Sequence, residues 1–274
     1  MNPDLAVSAA RVRALLAKEA LDLAQSRVLL VPAALVLLFV VLPFLVVVLG
    51  PSTSGDGLAD SDTARMMRLA AEHWPALAGL SPDAAAQAFL FQQFLLMLIL
   101  GPLTGAMAIA AHGVIGEKHA RTLEPLLATP MTPAELLLAK TLAAFLPAVA
   151  MTGVAVGAYG LGIALLAEPG VLGALLGTRT ALVVAGIGPL STLIGLELTV
   201  IMSSRVNDQR SAQQIGTLVV LPLVGLMVVQ GLGLVWVTVP WLVALVAGLA
   251  GVAAALGLVG IAVFDRERIL TQWR

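Results

Sequence analysis

The sequence predicts an all-α polytopic membrane protein with six transmembrane helices, and three observations carry that reading. Hydrophobic residues make up 59% of the 274 positions and charged residues 11%, with a mean hydropathy of +1.01, well outside the composition of an ordinary soluble domain. Windows without a single charge cover 28–50, 84–111, 141–167 and 180–196, each near or beyond the roughly 20 residues that cross a bilayer. A fifth window, 211–264, is long enough for two spans, and Trp236, Pro240 and Trp241 mark the division, since tryptophan favours the interface and proline a turn. The third observation is where the positive charges lie. With six spans, twelve of the fifteen Lys and Arg residues share the side of the N-terminus, the 112–140 loop, the 203–210 loop and the tail, against only Arg65, Arg68 and Arg179 opposite. Positive charge marks the cytoplasmic face, so both termini are expected there. The net charge of −1 thus conceals a separation of charge, and nothing in it calls for nucleic acid as a partner.

The elements follow in order. Residues 1–27 form one region and 28–274 a single six-helix transmembrane domain, with an external loop at 51–83, cytoplasmic loops at 112–135 and 203–210, and a cytoplasmic tail at 265–274. Over 8–27, Val12, Leu15, Leu16 and Leu23 recur at helical spacing among Arg11, Arg13, Lys18, Glu19 and Asp22, which predicts an amphipathic helix along the inner membrane surface. The segment is too long and too mixed in charge for a cleaved signal, so the first span reads as a retained anchor. Outside, Met66, Leu69, Ala70, Trp74 and Leu77 predict a short interfacial helix resting on lipid or on a partner subunit. Met66, Met67 and His73 offer donors that suit copper, but the amphipathic reading is preferred. Ser81-Pro82-Asp83 starts the second span with a serine cap and a first-turn proline, and Pro102 should bend that span. Gly101-xxx-Gly105, Gly153-xxx-Gly157 and Gly173-xxx-Gly177 each permit close helix contact.

Between the second and third spans lies a charged, proline-punctuated island, EKHARTLEPLLATPMTPAELLLAK, from Glu117 to Lys140. Thr132-Pro133-Ala134-Glu135 reads as a capping box that starts the third span. Upstream there is room for one short helix, with Leu123, Leu126 and Leu127 on one side and Glu117, Lys118, Arg121 and Glu124 around it. Such leucines suit either a groove on a partner protein or the membrane surface. In order and spacing, Gly116, Glu117, Lys118, Thr122, Leu123, Glu124, Leu126, Leu127, Pro130, Glu135 and Lys140 resemble the cytoplasmic loop of ABC-2-type transporter permeases. The wording is most similar to the sodium-extrusion and drug-export branch. The resemblance implies that 117–127 is a coupling helix docking on a separate ABC ATPase subunit, that 1–27 is an elbow helix, and that a second permease chain, identical or closely related, completes the transporter. It also implies export across a prokaryotic cytoplasmic membrane, with ATP and magnesium held by the ATPase and no cofactor or metal bound by this chain.

The remaining residues weigh rival classes. No G-x-x-x-x-G-K-[ST] loop is present, so this chain is not expected to hydrolyse ATP, or to be catalytic by itself. Cysteine is absent, which excludes disulfides and thiolate chemistry. Intramembrane proteolysis would need a serine–histidine pair, paired aspartates or a histidine metal site at membrane depth, and none falls there. Glu197 is the one acid inside a span, placed for a role in transport or gating, or for a structural contact with Arg205 or headgroup water. With Pro43, Pro102, Pro147, Pro189 and Pro222 interrupting spans, it keeps an ion-coupled secondary transporter as the alternative. A non-transporting scaffold is the third possibility. The 203–210 segment reads as a solvated turn.

Overall fold

A computed structural model describes residues 8–26, 28–49, 69–119, 132–206 and 208–263, and these are helical almost throughout, with no strand among them. Six helices are long and apolar enough to cross a membrane: Leu30–Val47, Pro82–Glu117, Ala134–Leu166, Thr178–Ser203, Gln209–Gly231 and Val239–Ile261, here spans 1 to 6. A shorter helix, α1 (Ala9–Gln25), precedes them. The division of the last window falls where the sequence placed it, with Trp236 in the connection between spans 5 and 6.

Burial orders the bundle. Span 2 is 78% buried and span 4 is 50% buried, while the others lie between 11% and 17%. Span 2 is therefore the central post, packed by spans 1, 3 and 4, and span 4 in turn carries spans 5 and 6. The exposed Leu and Val side chains of the outer spans match a hydrocarbon solvent rather than water.

Close approach is set by particular small residues. A Cβ at Gly105 would lie 2.6 Å from Pro32 Cβ, and one at Gly101 would lie 3.0–3.3 Å from Val36 side-chain and backbone atoms. This glycine pair thus seats span 1 against span 2. Gly153, Gly157, Gly173 and Gly177 meet nothing within 4 Å, so the other two pairs do no packing among the described residues. Toward the end of the bundle remote from α1, Phe44 fits beside Gly162 and packs on Phe91 and Tyr159 with centroids 5.3 and 5.6 Å away. The Tyr159 hydroxyl donates to the Phe91 carbonyl at 2.9 Å.

Pro102 lies within an unbroken helix from Pro82 to His119. Span 4 accommodates its proline differently. Immediately before Gly188-Pro189 the helix widens into a π-helical segment, Leu182–Ile187, a local expansion that accepts a residue lacking an N–H donor. Gly186 within it lets span 6 approach, since a Cβ there would sit 2.7 Å from Val246.

The segment after the external loop differs from its expected setting. Residues 69–73 are helical and a 3-10 turn follows at Pro75–Leu77. Ala70, Trp74 and Leu77 are buried in the chain's own core rather than resting on lipid or a partner. Length explains it: a segment this short gains more by filling the mouth of its own bundle than by lying alone at an interface. The His73 ring stacks on Trp236 at 5.5 Å, and its Nδ1 is 2.9 Å from the Leu69 carbonyl. That side chain is engaged in packing, and Met66 and Met67 lie outside the described residues.

Candidate functional site

The charged island joins the bundle through its two stems. Span 2's helix continues to His119, carrying Glu117 in its last turn. The following stem begins at the capping box foreseen in the sequence: Thr132 Oγ1 accepts from the Glu135 N–H at 3.2 Å, and Glu135 Oε2 accepts from the Thr132 N–H at 2.8 Å. Lys140 lies one and a half turns further along.

Helix α1 closes the arrangement. Its Val12 and Leu15 bury against span 3 and the core below it, joined by half-buried Leu16 and Leu23. The apolar stripe read from the sequence is the one used, turned toward protein. That packing brings the N-terminal end of α1 to Glu135, which is wholly buried. Glu135 Oε1 accepts from the Ser8 N–H at 2.6 Å and lies 3.3 Å from Arg11 Nε. Further along α1, Lys18 and Glu19 meet the stems. Lys140 Nζ, 5% exposed, donates to Glu19 Oε1 at 2.6 Å and the Gly113 carbonyl at 3.0 Å, and lies 2.7 Å from Glu117 Oε2. Lys18 Nζ pairs with Glu117 Oε1, with Glu19 at 3.4 Å and with Asp22 at 3.5 Å. Burial opposes the Lys18 charge, but the Glu117 carboxylate against it, helped by Glu19 and Asp22, holds its pKa well above the ordinary lysine value.

The outcome is a ladder of alternating charge, Lys18, Glu117, Lys140 and Glu19, joining three helices. Lys18 stands half-exposed at the rim, and the deeper Glu117, Lys140 and Glu19 are tolerated because each is paired or hydrogen-bonded. A cavity of about 490 Å³ opens beside the ladder, lined by Lys18, Asp22, His112, Gly116, Glu117 and Ala143 among others.

The predicted site residues divide accordingly. Glu117 is drawn inward into the ladder, and Lys118 continues the helix one residue beyond it. Arg121, Leu123, Glu124, Leu126 and Leu127 lie outside the described residues. Glu197 is elsewhere, on span 4 facing span 6: a Cβ on Gly257 would stand 3.2 Å from its Oε1. It makes no ion pair with Arg205, which is exposed two turns on. Sequence reasoning did not find Lys18 and Glu19 as members of the ladder. Their signal was local, an adjacent Lys-Glu pair on an amphipathic helix, with nothing to say which span it would meet.

An apolar six-span bundle whose motif residues Glu117, Glu135 and Lys140 gather at the stems of one loop narrows the family. A family model described as ABC-2 family transporter protein matches residues 13–264, nearly the whole chain. The chain belongs to the ABC-2 transporter family. No curated protein matches the sequence. Membership makes this a multi-pass membrane protein with a permease role in an ABC transporter, a kind of assembly whose permeases work with ABC ATPase subunits. Within this ABC-2 permease, the described ends of spans 2 and 3 on either side of 120–131 are joined to one another through α1.

Proposed function

We propose that this chain is the membrane subunit of an ABC exporter and that a separate ATPase subunit docks on the 117–127 region. Leu123, Leu126 and Leu127 would enter a groove on the ATPase, with Lys118, Arg121 and Glu124 orienting the contact. The ATPase supplies the ATP and magnesium sites, and this chain supplies the path. The transporter comprises two such permease chains, identical or closely related, with two ATPase subunits, in a prokaryotic cytoplasmic membrane with both termini inside. The observation that carries the proposal is the Lys18–Glu117–Lys140–Glu19 ladder. It makes the loop's two stems and α1 one mechanical unit, which a docked partner needs if its movement is to reach the membrane-buried spans. Paired charge serves that purpose without any catalytic group.

The test is affinity purification of the tagged chain from its native membrane in mild detergent. An ATPase subunit co-purifies with wild type and is lost from Leu126→Asp/Leu127→Asp, while the variant keeps the wild-type elution volume and thermal midpoint. Failure of any ATPase to accompany wild type refutes the proposal and returns the ion-coupled alternative.

A further inference from the structure

Glu197 belongs to neither the ladder nor the loop. It lies six residues, about 9 Å of helix, before the last residue of span 4, and it is 8% exposed. Its Oε2 has no hydrogen-bond partner. One turn to either side on its own helix stand Ile194 and Ile201, and across from it span 6 presents Ala253, Gly257 and Gly260. The charged or titratable side chains on the packed elements are all occupied or distant. On span 2 they are Asp83 at the far end, exposed His112, and Glu117 in the ladder; on span 3 they are Glu135 and Lys140, both engaged with α1, and Tyr159, whose hydroxyl is bonded to the Phe91 carbonyl. Asp208 and Arg210 are exposed at the head of span 5, and span 6 contributes none among the described residues.

A carboxylate in this setting needs a positive charge that no side chain among the described residues supplies, because an unpaired ion at membrane depth costs several kcal/mol. Gly257 leaves open the position facing the carboxyl, since a Cβ there would stand 3.2 Å from Oε1. A proton neutralises the carboxylate by bonding to its own oxygen and needs no coordinating side chain, whereas a metal ion would need further oxygen ligands that the flanking Ile194, Ile201 and Ala253 do not provide. We propose that Glu197 is an intramembrane proton-binding site: the carboxylate takes one proton to become the neutral acid, and its occupancy sets how closely span 4 seats on span 6. This stands apart from the docking of an ATPase and does not depend on it.

The test uses the full-length chain in membranes and a lipid-soluble carbodiimide, which adds to a protonated carboxylic acid to leave a stable N-acylurea. Peptide mass spectrometry locates the adduct. Glu197 should be modified at mildly acidic pH, with a yield that falls by about tenfold per pH unit once the carboxyl ionises. Glu197→Gln removes the adduct. Gly257→Ala, which places a methyl against Oε1 and shields the carboxyl further from water, moves the fall in yield to higher pH, whereas Gly248→Ala, with nothing within 4 Å, leaves the profile unchanged. No adduct at Glu197 at any pH, a yield independent of pH, or identical pH profiles in the two glycine variants would each overturn the proposal.

Discussion

Replacing Lys140 with methionine keeps most of the side-chain volume and removes the charge at the centre of the ladder. Its ammonium is 5% exposed and serves two carboxylates at 2.6 and 2.7 Å as well as the Gly113 carbonyl. Removing one member of a buried ion pair costs about 3–5 kcal/mol, because the partner is left charged and uncompensated. Two features reduce that figure here. Lys18 still pairs with Glu117, and water can enter from the adjoining cavity of about 490 Å³. About 2–3 kcal/mol is therefore expected for Lys140→Met, against roughly 0–1 kcal/mol for an exposed pair. The assay is reversible denaturant unfolding of the purified chain in mild detergent, read as a double-mutant cycle with Glu117→Gln. Since that substitution removes one of the stranded charges, the double variant should recover about 1–2 kcal/mol relative to the sum of the single changes. A Lys140→Met loss below about 0.5 kcal/mol, or strictly additive changes, would refute the claim that the ladder is a buried, coupled unit.

Two further outcomes follow from local geometry. Gly105→Leu forces a side chain into Pro32, 2.6 Å from the position of its Cβ. It should cost about 2–3 kcal/mol or more, whereas Gly153→Leu, with open space around it, should lie within about 0.5 kcal/mol of wild type in the isolated chain. Equal thermal midpoints for the two variants would contradict the packing of span 1 on span 2. Asp208 caps span 5, its Oδ2 accepting from the Ser211 N–H and hydroxyl, each at 2.9 Å, and these bonds hold its carboxyl below the usual carboxylate range. A depressed folded-state pKa contributes stability above the unfolded value that is lost as pH falls through the folded one. Protection of the amides at 209–212, corrected for their intrinsic exchange rates, should therefore fall in acid more in wild type than in Asp208→Asn, and identical pH profiles would refute it.

What the sequence made legible was whatever is encoded within a turn or a span. Thr132-Pro133-Ala134-Glu135 and Ser81-Pro82 specify helix starts through contacts three residues apart, and both are seen, the second as the Ala84 N–H donating to Ser81 Oγ at 3.2 Å. The six spans follow from hydropathy because lipid leaves backbone groups few other arrangements. Contacts between distant segments were not legible. Glu117 meets Lys18 across 99 positions, and neither residue's neighbours indicate the other. The three glycine pairs look alike in sequence, yet only Gly101 and Gly105 are used, because only they face Pro32 and Val36. Trp74 and Leu77 suited a lipid interface equally well in one dimension, and the volume left at the mouth of the bundle decided for the core.

The π-helical segment Leu182–Ile187 has a consequence for everything after it in span 4. An α-helix turns by about 100° per residue, so one residue absorbed into a wider turn changes the phase of the remainder by about that angle. Leu196, Glu197 and Val200 owe their azimuths to this offset as much as to their place in the sequence. Returned to regular α geometry, the same residues would point Glu197 around the axis and off the notch at Gly257. The widened turn just before Pro189 thus acts, from more than two helical turns away, as the compass bearing of the one unpaired acid in the span.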